Sequence, residues 1–191
     1  MSLTLELIRH GESELAGSFR GSTDDPLTDT GWAQLRAAVS EKCRWDHIVT
    51  SPLQRCAHFA EELAAARGCS LSYEADLQEL HFGLWEGRSS AELMQTEAAA
   101  LTRFWEDPYA FTPPDGEPLQ AFEARIMQAL QRLYERHAGQ HILAVTHGGV
   151  IRLLVAKARG LPRNGLLQVP VGFAQRFQVV LSEKGELKEL Q

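Results

Sequence analysis

The sequence has 191 residues, a hydrophobic fraction of 44% and a charged fraction of 23%, which are ordinary values for a globular protein with one core. Its formal net charge of −6 argues against a general nucleic-acid binder and against a protein that binds anionic membranes. No run reaches the ~18 apolar residues that a membrane-spanning helix needs, and we expect one globular domain over residues 1–191.

The chain opens with an apolar strand that ends abruptly in polar residues. The apolar positions of this strand are Leu3, Leu5, Leu7 and Ile8. Arg9 and His10 follow them directly, and the segment GESELAGSFRGSTDDPLT predicts a loop because it is rich in glycine, serine and aspartate. A helix is expected next, through about Ser40, with Thr28 or Asp29 as its N-cap.

The middle of the chain predicts a second strand and helix, and then a weaker third strand. WDHIVTS has strand character, and SPLQRCAHFAEELAAARG predicts a helix with Ser51 as N-cap, Pro52 as first residue and Gly68 as stop. CSLSYEADL is the weaker strand, and DPYAFTPPDGEP is a proline-rich connection. A long helix then has apolar residues at helical spacing: Leu119, Phe122, Ile126, Leu130 and Leu133.

The last third of the chain repeats the alternation of strand and helix. HILAVTH predicts a strand and GGVIRLLVAKARG a helix. The tail predicts two strands joined by a turn near Lys184 and Gly185, the last strand being an antiparallel edge. Strands that alternate with helices predict an α/β fold, which we expect to be a three-layer sandwich with a mostly parallel central sheet and helices on both faces.

Charged and imidazole side chains follow three of the predicted strands. Arg9 and His10 end the first strand, Arg55 lies one helical turn after the second, and His147 ends the strand HILAVT. The carboxyl ends of parallel strands meet at one edge of a sheet, so we expect these four side chains to lie together. The helix that starts at Gly148 adds backbone N–H donors. This combination indicates a site for a compact dianion such as phosphate.

The chemistry at such a site is narrowed by what the sequence lacks. We find no GxxxxGK[ST] loop, no Mg²⁺-type carboxylate cluster and no CxxxxxR cradle. Histidine is then the remaining nucleophile, and a neutral imidazole can take a phosphoryl group that water later removes. A carboxylic acid must protonate the leaving oxygen. The pattern alone does not separate Glu79 from Glu74 or Glu86 for this role.

Four segments in this order resemble the histidine phosphatase family, also called phosphoglycerate mutase-like: LIRHGES, SPLQR, LQELHFGLWEG and VTHGG. The resemblance extends from Leu5 to about Leu154 and implies the phosphoglycerate mutase-like fold. It also implies that His10 is the phosphorylated nucleophile and that Glu79 is the proton donor. The groups that would hold the phosphoryl oxygens are the catalytic His147 together with Arg9, Arg55 and Gly148.

One position departs from the family pattern, and several loop residues are candidates for substrate binding. Many family members carry an asparagine six residues after the nucleophile, where this chain has Ala16; Ser13, Ser18 or Ser22 could replace it. The candidate substrate-binding residues are Arg20, Gly21, Ser22 and His81. Arg20 could equally be an exposed loop arginine. Around the site, the aromatic residues that could line a lid or anchor a loop are Trp105, Tyr109 and Phe111.

The compact length and the segments GSFRGSTDDPLTDTG and ELHFGLWEG resemble the α-ribazole phosphatase branch of the family. That resemblance implies a metal-independent phosphomonoesterase that hydrolyses α-ribazole 5′-phosphate in cobalamin biosynthesis. The alternatives are a broad-specificity sugar or phosphoglycerate phosphatase, a phosphoglycerate-type mutase, and a non-catalytic phosphate-binding module. We expect a small-molecule phosphate monoester as partner, and neither a cofactor nor a bound metal.

Location and assembly are less constrained by the sequence. Cys43, Cys56 and Cys69 have no metal-like spacing, and the N-terminus does not resemble a signal peptide, so we expect a cytoplasmic protein. The oligomeric state stays open, with a homodimer as one option.

Overall fold

The computed structural model describes residues 1–40 and 42–190. The strands are β1 Ser2–Arg9, β2 His47–Thr50, β3 Leu71–Tyr73, β4 His141–Thr146, β5 Arg176–Ser182 and β6 Leu187–Leu190. The α-helices are α1 Asp29–Ala38, α2 Gln54–Arg67, α3 Ser90–Thr96, α4 Ala98–Glu106, α5 Leu119–His137 and α6 Gly148–Ala158. Short 3₁₀ helices cover Ala75–Leu77, Gly83–Trp85 and Arg163–Gln168.

The strands form one mixed sheet in the order β3-β2-β4-β1-β5-β6. β1, β2, β3 and β4 pair in parallel, whereas β5 and β6 pair antiparallel at one side. The predictions of a mostly parallel sheet and of an antiparallel last strand are confirmed. In the register of β1 with β4, Arg9 lies opposite Thr146, which brings the ends of these two strands side by side.

Helices cover both faces of the sheet, as expected for a three-layer sandwich. Apolar residues of α5 and α6 pack with Leu3, Leu5 and Leu7 of β1 in one cluster. Residues of α1 and α2 pack with Ile8 in the other. The five apolar positions predicted for the long helix are all buried: Leu119, Phe122, Ile126, Leu130 and Leu133. Burying each such side chain contributes roughly 1.5–3 kcal/mol to folding, so this stripe determines which face of α5 meets the sheet.

The helix ends confirm two predictions and correct a third. Thr28 caps α1 by accepting a hydrogen bond from the Gly31 N–H at 3.0 Å, and Gly68 ends α2 with φ of 61° in the left-handed region. The prediction that Ser51 is the N-cap of α2 was wrong, because α2 begins after Leu53. The hydroxyl of Ser51 is used by a histidine in the site described below.

Two further observations complete the fold. His47 lies buried in β2, where its ring nitrogens contact the hydroxyls of Ser70 and Ser72 at 2.7 Å. Within the two described segments, no helix combines the length and the apolar character that crossing a membrane requires.

Candidate active site

The two histidines predicted at separate strand ends face each other. The ring centroids of His10 and His147 lie 5.3 Å apart in an edge-to-face arrangement. The backbone N–H of His10 donates to the Thr146 carbonyl at 3.0 Å, which ties the residue after β1 to the end of β4. Both side chains are almost completely buried. The parallel pairing of β1 with β4 is therefore what brings together two residues that are 137 positions apart.

The protonation of His10 follows from its surroundings. Its Nδ1 lies 2.7 Å from the carbonyl oxygen of Gly11, and a carbonyl can only accept, so Nδ1 carries the hydrogen and Nε2 has a free lone pair. Burial and the positive charges of Arg55 and Arg9 hold the pKa of His10 well below its ordinary value. His10 is therefore neutral near pH 7, with one nitrogen available as a nucleophile.

The guanidinium groups of Arg9 and Arg55 are held beside the histidines by backbone carbonyls. Arg9 donates from Nη1 to Val171 O at 2.7 Å, and Arg55 donates from Nη2 to Gly21 O at 2.9 Å. In the part of the chain that the structure describes, the Nε atoms of both arginines are buried without a hydrogen-bond partner. Buried unsatisfied donors are rare, so these two N–H groups indicate an anion-binding function.

The charge states of Arg9 and His147 follow from their burial and from neighbouring charges. Burial lowers the pKa of Arg9 to about 10, against the opposing effect of Glu79, and Arg9 remains a cation at pH 7. The pKa of His147 is lowered by burial and by Arg55, His10 and Arg9. Its Nε2 lies 2.8 Å from the Ser51 hydroxyl. The site therefore combines fixed cations with two neutral imidazoles.

The N-terminus of α6 and Glu79 lie at the same place. The first N–H groups of a helix have no intrahelical partner, and Gly148 is the first residue of α6. The N–H of Gly149 donates to Oε2 of Glu79 at 2.9 Å. A Cβ at Gly149 would lie 2.2 Å from Oε1 of Glu79, so only glycine lets the carboxylate approach the helix this closely.

The loop that carries Glu79 is held by one arginine of α5. Arg125 donates from Nη1 to Asp76 O at 2.7 Å and to Gln78 O at 2.8 Å, and from Nη2 to Glu79 O at 2.9 Å. Glu117 in turn accepts from Arg125 Nε at 2.7 Å. Because Arg125 binds three backbone carbonyls within residues 76–79, it limits where the Glu79 carboxylate can be placed.

Glu79 also lines an apolar cavity of about 330 Å³. Arg152 and Gly149 line this cavity on the side of α6. The rest of its wall includes five aromatic side chains: Phe19, Phe82, Phe104, Trp105 and Phe122. Of the three aromatic residues considered for a lid, only Trp105 lies here. Tyr109 hydrogen-bonds Glu123, and Phe111 stacks on Trp85. The cavity can hold the organic part of a molecule whose reacting oxygen lies near Glu79.

The candidate substrate-binding residues fall into two groups. The Arg20 side chain is only 7% exposed and contacts Ser13 and Asp25, so the alternative of an exposed loop arginine is wrong. The carbonyl of Gly21 accepts from Arg55. By contrast, Ser22 and His81 contact Glu86. The backbone N–H of Ser22 donates to the Glu86 carboxylate at 2.9 Å and its hydroxyl donates at 3.1 Å. Nε2 of His81 lies 3.5 Å from the same carboxylate.

Comparison with known proteins decides the family. Residues 5–190 match the family model of the histidine phosphatase superfamily (branch 1). The chain belongs to the histidine phosphatase superfamily.

Relatives in this superfamily cover most of the chain. The adenosylcobalamin/alpha-ribazole phosphatase of Escherichia coli is 33% identical over 168 residues, which is 86% of this chain and 83% of that protein. "Probable phosphoglycerate mutase GpmB" of Photorhabdus laumondii is 34% identical over 85% of this chain and 77% of its own length. The crystal structure of the alpha-ribazole phosphatase from Shigella flexneri superimposes with a TM-score of 0.83 at 30% identity, covering 98% of this chain and 94% of that chain. The resemblance inferred from the four motifs is confirmed, and so is the α/β fold.

Sequence reasoning missed three residues of this candidate site. Ser51 was interpreted as a helix cap, Asp25 as part of a turn-forming loop, and Arg125 was not singled out. Asp25 is buried and contacts both Arg20 and Arg55. A signal existed for Arg125, because it directly precedes Ile126 in the apolar stripe of α5 and a cation there needs a buried partner.

Proposed function

We propose that this protein is a metal-independent phosphomonoesterase in which His10 takes the phosphoryl group of a small monoester and passes it to water. The observation that carries the proposal is the Gly11 carbonyl on His10 Nδ1, which leaves Nε2 unprotonated beside the unpartnered Nε–H groups of Arg9 and Arg55. A neutral nucleophile next to preorganised cations is what attack on a phosphate ester requires.

The first half-reaction transfers the phosphoryl group to the enzyme. The Nε2 lone pair of His10 forms the N–P bond while the bond from phosphorus to the ester oxygen breaks, and protonated Glu79 gives its proton to that oxygen. Arg9, Arg55 and His147 face the oxygens of the transferred group, together with the N–H of Gly148. The Gly11 carbonyl stabilises the positive charge that develops on the imidazole.

The second half-reaction regenerates the enzyme. The Glu79 carboxylate accepts a proton from a water molecule as the water oxygen bonds to phosphorus. The N–P bond then breaks, and its electron pair returns to Nε2 of His10. Inorganic phosphate leaves, and Glu79 is again protonated, so that one ester and one water yield one alcohol and one phosphate.

We propose α-ribazole 5′-phosphate as the substrate. Relatives more than 30% identical are named adenosylcobalamin/alpha-ribazole phosphatases. The aromatic cavity beside Glu79 supports this choice, because the substrate is a nucleotide whose flat base can pack against aromatic rings. Hydrolysis of this ester would place the protein in cobalamin biosynthesis.

A phosphoglycerate-type mutase is the second candidate, since relatives at 33–34% identity carry the GpmB name. Arg152 on the cavity wall is the observation that favours it, because a cation there could bind a carboxylate. A mutase returns the phosphoryl group to a substrate hydroxyl, whereas a phosphatase releases it as inorganic phosphate. Product analysis with 3-phosphoglycerate separates the two functions.

The test compares His10→Asn with the matched control His58→Asn, since His58 is exposed on α2. Wild type and the control should release phosphate from α-ribazole 5′-phosphate and should form an acid-labile, base-stable phosphoenzyme, also in the presence of a chelator. His10→Asn should do neither. Full activity of His10→Asn would overturn the proposed nucleophile, and tight phosphate binding without turnover of any monoester would indicate a binding module.

We also infer that residues 1–191 act as one cytoplasmic domain. The family match across residues 5–190 supports one domain, and the free state of Cys43, Cys56 and Cys69 is typical of a reducing compartment. A homodimer stays a prediction, which sedimentation equilibrium tests.

A further inference from the structure

The loop after His10 leaves an open question at Ala16, where the expected amide donor is missing. None of the three serines considered as substitutes is available. Ser18 donates from its hydroxyl to Leu15 O at 2.7 Å, and the Ser22 hydroxyl donates to Glu86. Ser13 is buried, accepts a hydrogen bond from Arg20, and its own hydroxyl hydrogen-bonds the Asp25 carboxylate. These three hydroxyls therefore do not supply the donor that the amide would provide.

Asp25 holds Arg20 next to Arg55. Its Oδ1 lies 3.2 Å from Nη1 of Arg55, and its Oδ2 lies 3.2 Å from Nη1 of Arg20. The backbone N–H of Leu15 donates to Oδ2 at 3.1 Å and fixes the carboxylate further. One buried carboxylate thus brings two guanidinium groups to the same place, although it can neutralise only one of them.

The Arg20 guanidinium uses only one of its nitrogen atoms in hydrogen bonds to the described residues. Both hydrogen bonds that Arg20 makes to protein use Nη1, one to Ser13 and one to Asp25. Among residues 1–40 and 42–190, no acceptor contacts its Nε or Nη2. Burial is the main cause that lowers the pKa values of Arg9 and His10, and the positive charge of Arg20 lowers both further. The Arg20 guanidinium therefore acts electrostatically on two residues of the candidate site.

The formal charges match a dianion only when Arg20 is included. Arg9, Arg20 and Arg55 contribute +3 and Asp25 contributes −1, so the three guanidinium groups and their shared carboxylate together carry +2. A phosphate monoester near pH 7 carries a charge close to −2. Without Arg20 the same sum is +1, so one negative charge would enter a largely buried site uncompensated.

We propose that Arg20, positioned by Asp25, is a third guanidinium of the phosphate site and donates to the phosphoryl group in place of the amide missing at Ala16. The proposal rests on the proposed function, because it assigns a ligand to the same phosphoryl group. It makes this site more strongly cationic than one that uses a neutral amide.

Arg20→Gln tests the proposal, with Arg36→Gln as the matched control because Arg36 is an exposed α1 residue paired with Glu62. The inhibition constant of inorganic phosphate should rise about 10- to 100-fold in Arg20→Gln, the range for one charge-assisted hydrogen bond. It should not change in Arg36→Gln. A folded Arg20→Gln protein with an unchanged inhibition constant overturns the proposal, while inactivity of His10→Asn in the same assay leaves the proposed function standing.

Two further measurements complete the test. Adding Ala16→Asn to Arg20→Gln should restore part of the phosphate affinity, and no recovery would overturn the replacement of the amide by Arg20. If Arg20→Gln does not fold, wild-type protein labelled with ¹⁵N-arginine is titrated with inorganic phosphate. The Nε–H resonance of Arg20 should then shift while that of Arg36 stays in place, and a stationary Arg20 signal overturns the proposal.

Discussion

Arg125→Met removes the clamp on the Glu79 loop while keeping a long apolar side chain over the Phe122 ring, where the Arg125 guanidinium now lies 4.7 Å from the centroid. The change deletes three hydrogen bonds to loop carbonyls and the ion pair with Glu117. Breaking a buried charged pair costs about 3–5 kcal/mol. The Arg125 side chain is 21% exposed, so we expect a smaller loss of stability than for a fully buried pair, about 2–3 kcal/mol.

The effect on catalysis should depend on the leaving group. A misplacement of ~1 Å costs about 10²-fold in rate, and the loss applies only where Glu79 must protonate the departing oxygen. We expect kcat/KM for α-ribazole 5′-phosphate or glycerol phosphate to fall about 10²-fold. For p-nitrophenyl phosphate, whose phenolate leaves without a proton, we expect only a few-fold change.

Arg132→Met is the matched control. Arg132 lies about two turns further along α5 and binds the start of the same loop, donating from Nη2 to Glu74 at 2.7 Å and to Asp76 at 2.5 Å. It makes no contact with the Glu79 carbonyl. Arg132→Met should therefore lower the stability without changing the ratio of the two kcat/KM values.

Urea unfolding and steady-state kinetics with both kinds of ester provide the measurements. Equal losses for the alkyl and the nitrophenyl ester in Arg125→Met would refute the clamp, because they would indicate general damage to the site. The same leaving-group dependence in Arg132→Met would also refute it.

Three further predictions concern the histidines, Ser51 and Gly149 of the site. Burial holds the pKa values of His10 and His147 well below normal. Below pH ~6.5 the unfolded chain therefore takes up protons on these histidines that the native protein does not. The free energy of unfolding should fall from pH 7 to pH 5, by up to about 1.4 kcal/mol per pH unit for each histidine. Urea titrations at several pH values measure this slope, and a protein that gains stability on acidification contradicts it. Ser51→Ala leaves His147 Nε2 without its 2.8 Å partner and should cost about 1–3 kcal/mol of stability together with a lower kcat; unchanged calorimetric and kinetic values would show that this hydroxyl does not orient the ring. Gly149→Ala would place a Cβ 2.2 Å from Oε1 of Glu79. It should lower kcat/KM for alkyl esters about 10²-fold and leave kcat/KM for p-nitrophenyl phosphate nearly unchanged. Unchanged kcat/KM for both substrates would mean that the Glu79 carboxylate can move away from the Cβ without loss of activity.

The positions of the proposed phosphate-site residues could be predicted because each lies at a strand end or within the first turn of the helix that follows. Arg9 and His10 follow an apolar strand, and His147 follows another, so the rule for parallel sheets brings them together without knowledge of side-chain packing. The role of Glu79 could be predicted only from the family resemblance, since its loop has no periodic pattern. The α5 stripe was equally local, because five apolar residues at helical spacing can only be buried against the sheet.

The sequence could not decide the roles of some polar residues for one physical reason. Their side chains bind partners that are distant in the chain instead of the local partners that the sequence suggests. Ser51 stands where a helix cap would be expected, yet its hydroxyl contacts His147, 96 residues away. For Arg20 the sequence left two alternatives open, a substrate-binding residue and an exposed loop arginine, and contacts with Ser13 and with Asp25, which also binds Arg55, exclude the second.

By itself, the sequence determined which segments become strands and helices, which faces are buried, and which strand ends carry charge, because these depend on neighbouring residues and on the period of the backbone. Only the tertiary structure decided the tautomer of His10, the clamp of Arg125 on the Glu79 loop and the aromatic cavity. Each of these arises from groups that the chain brings together only after the sheet has formed, where burial makes a single hydrogen bond or charge decisive.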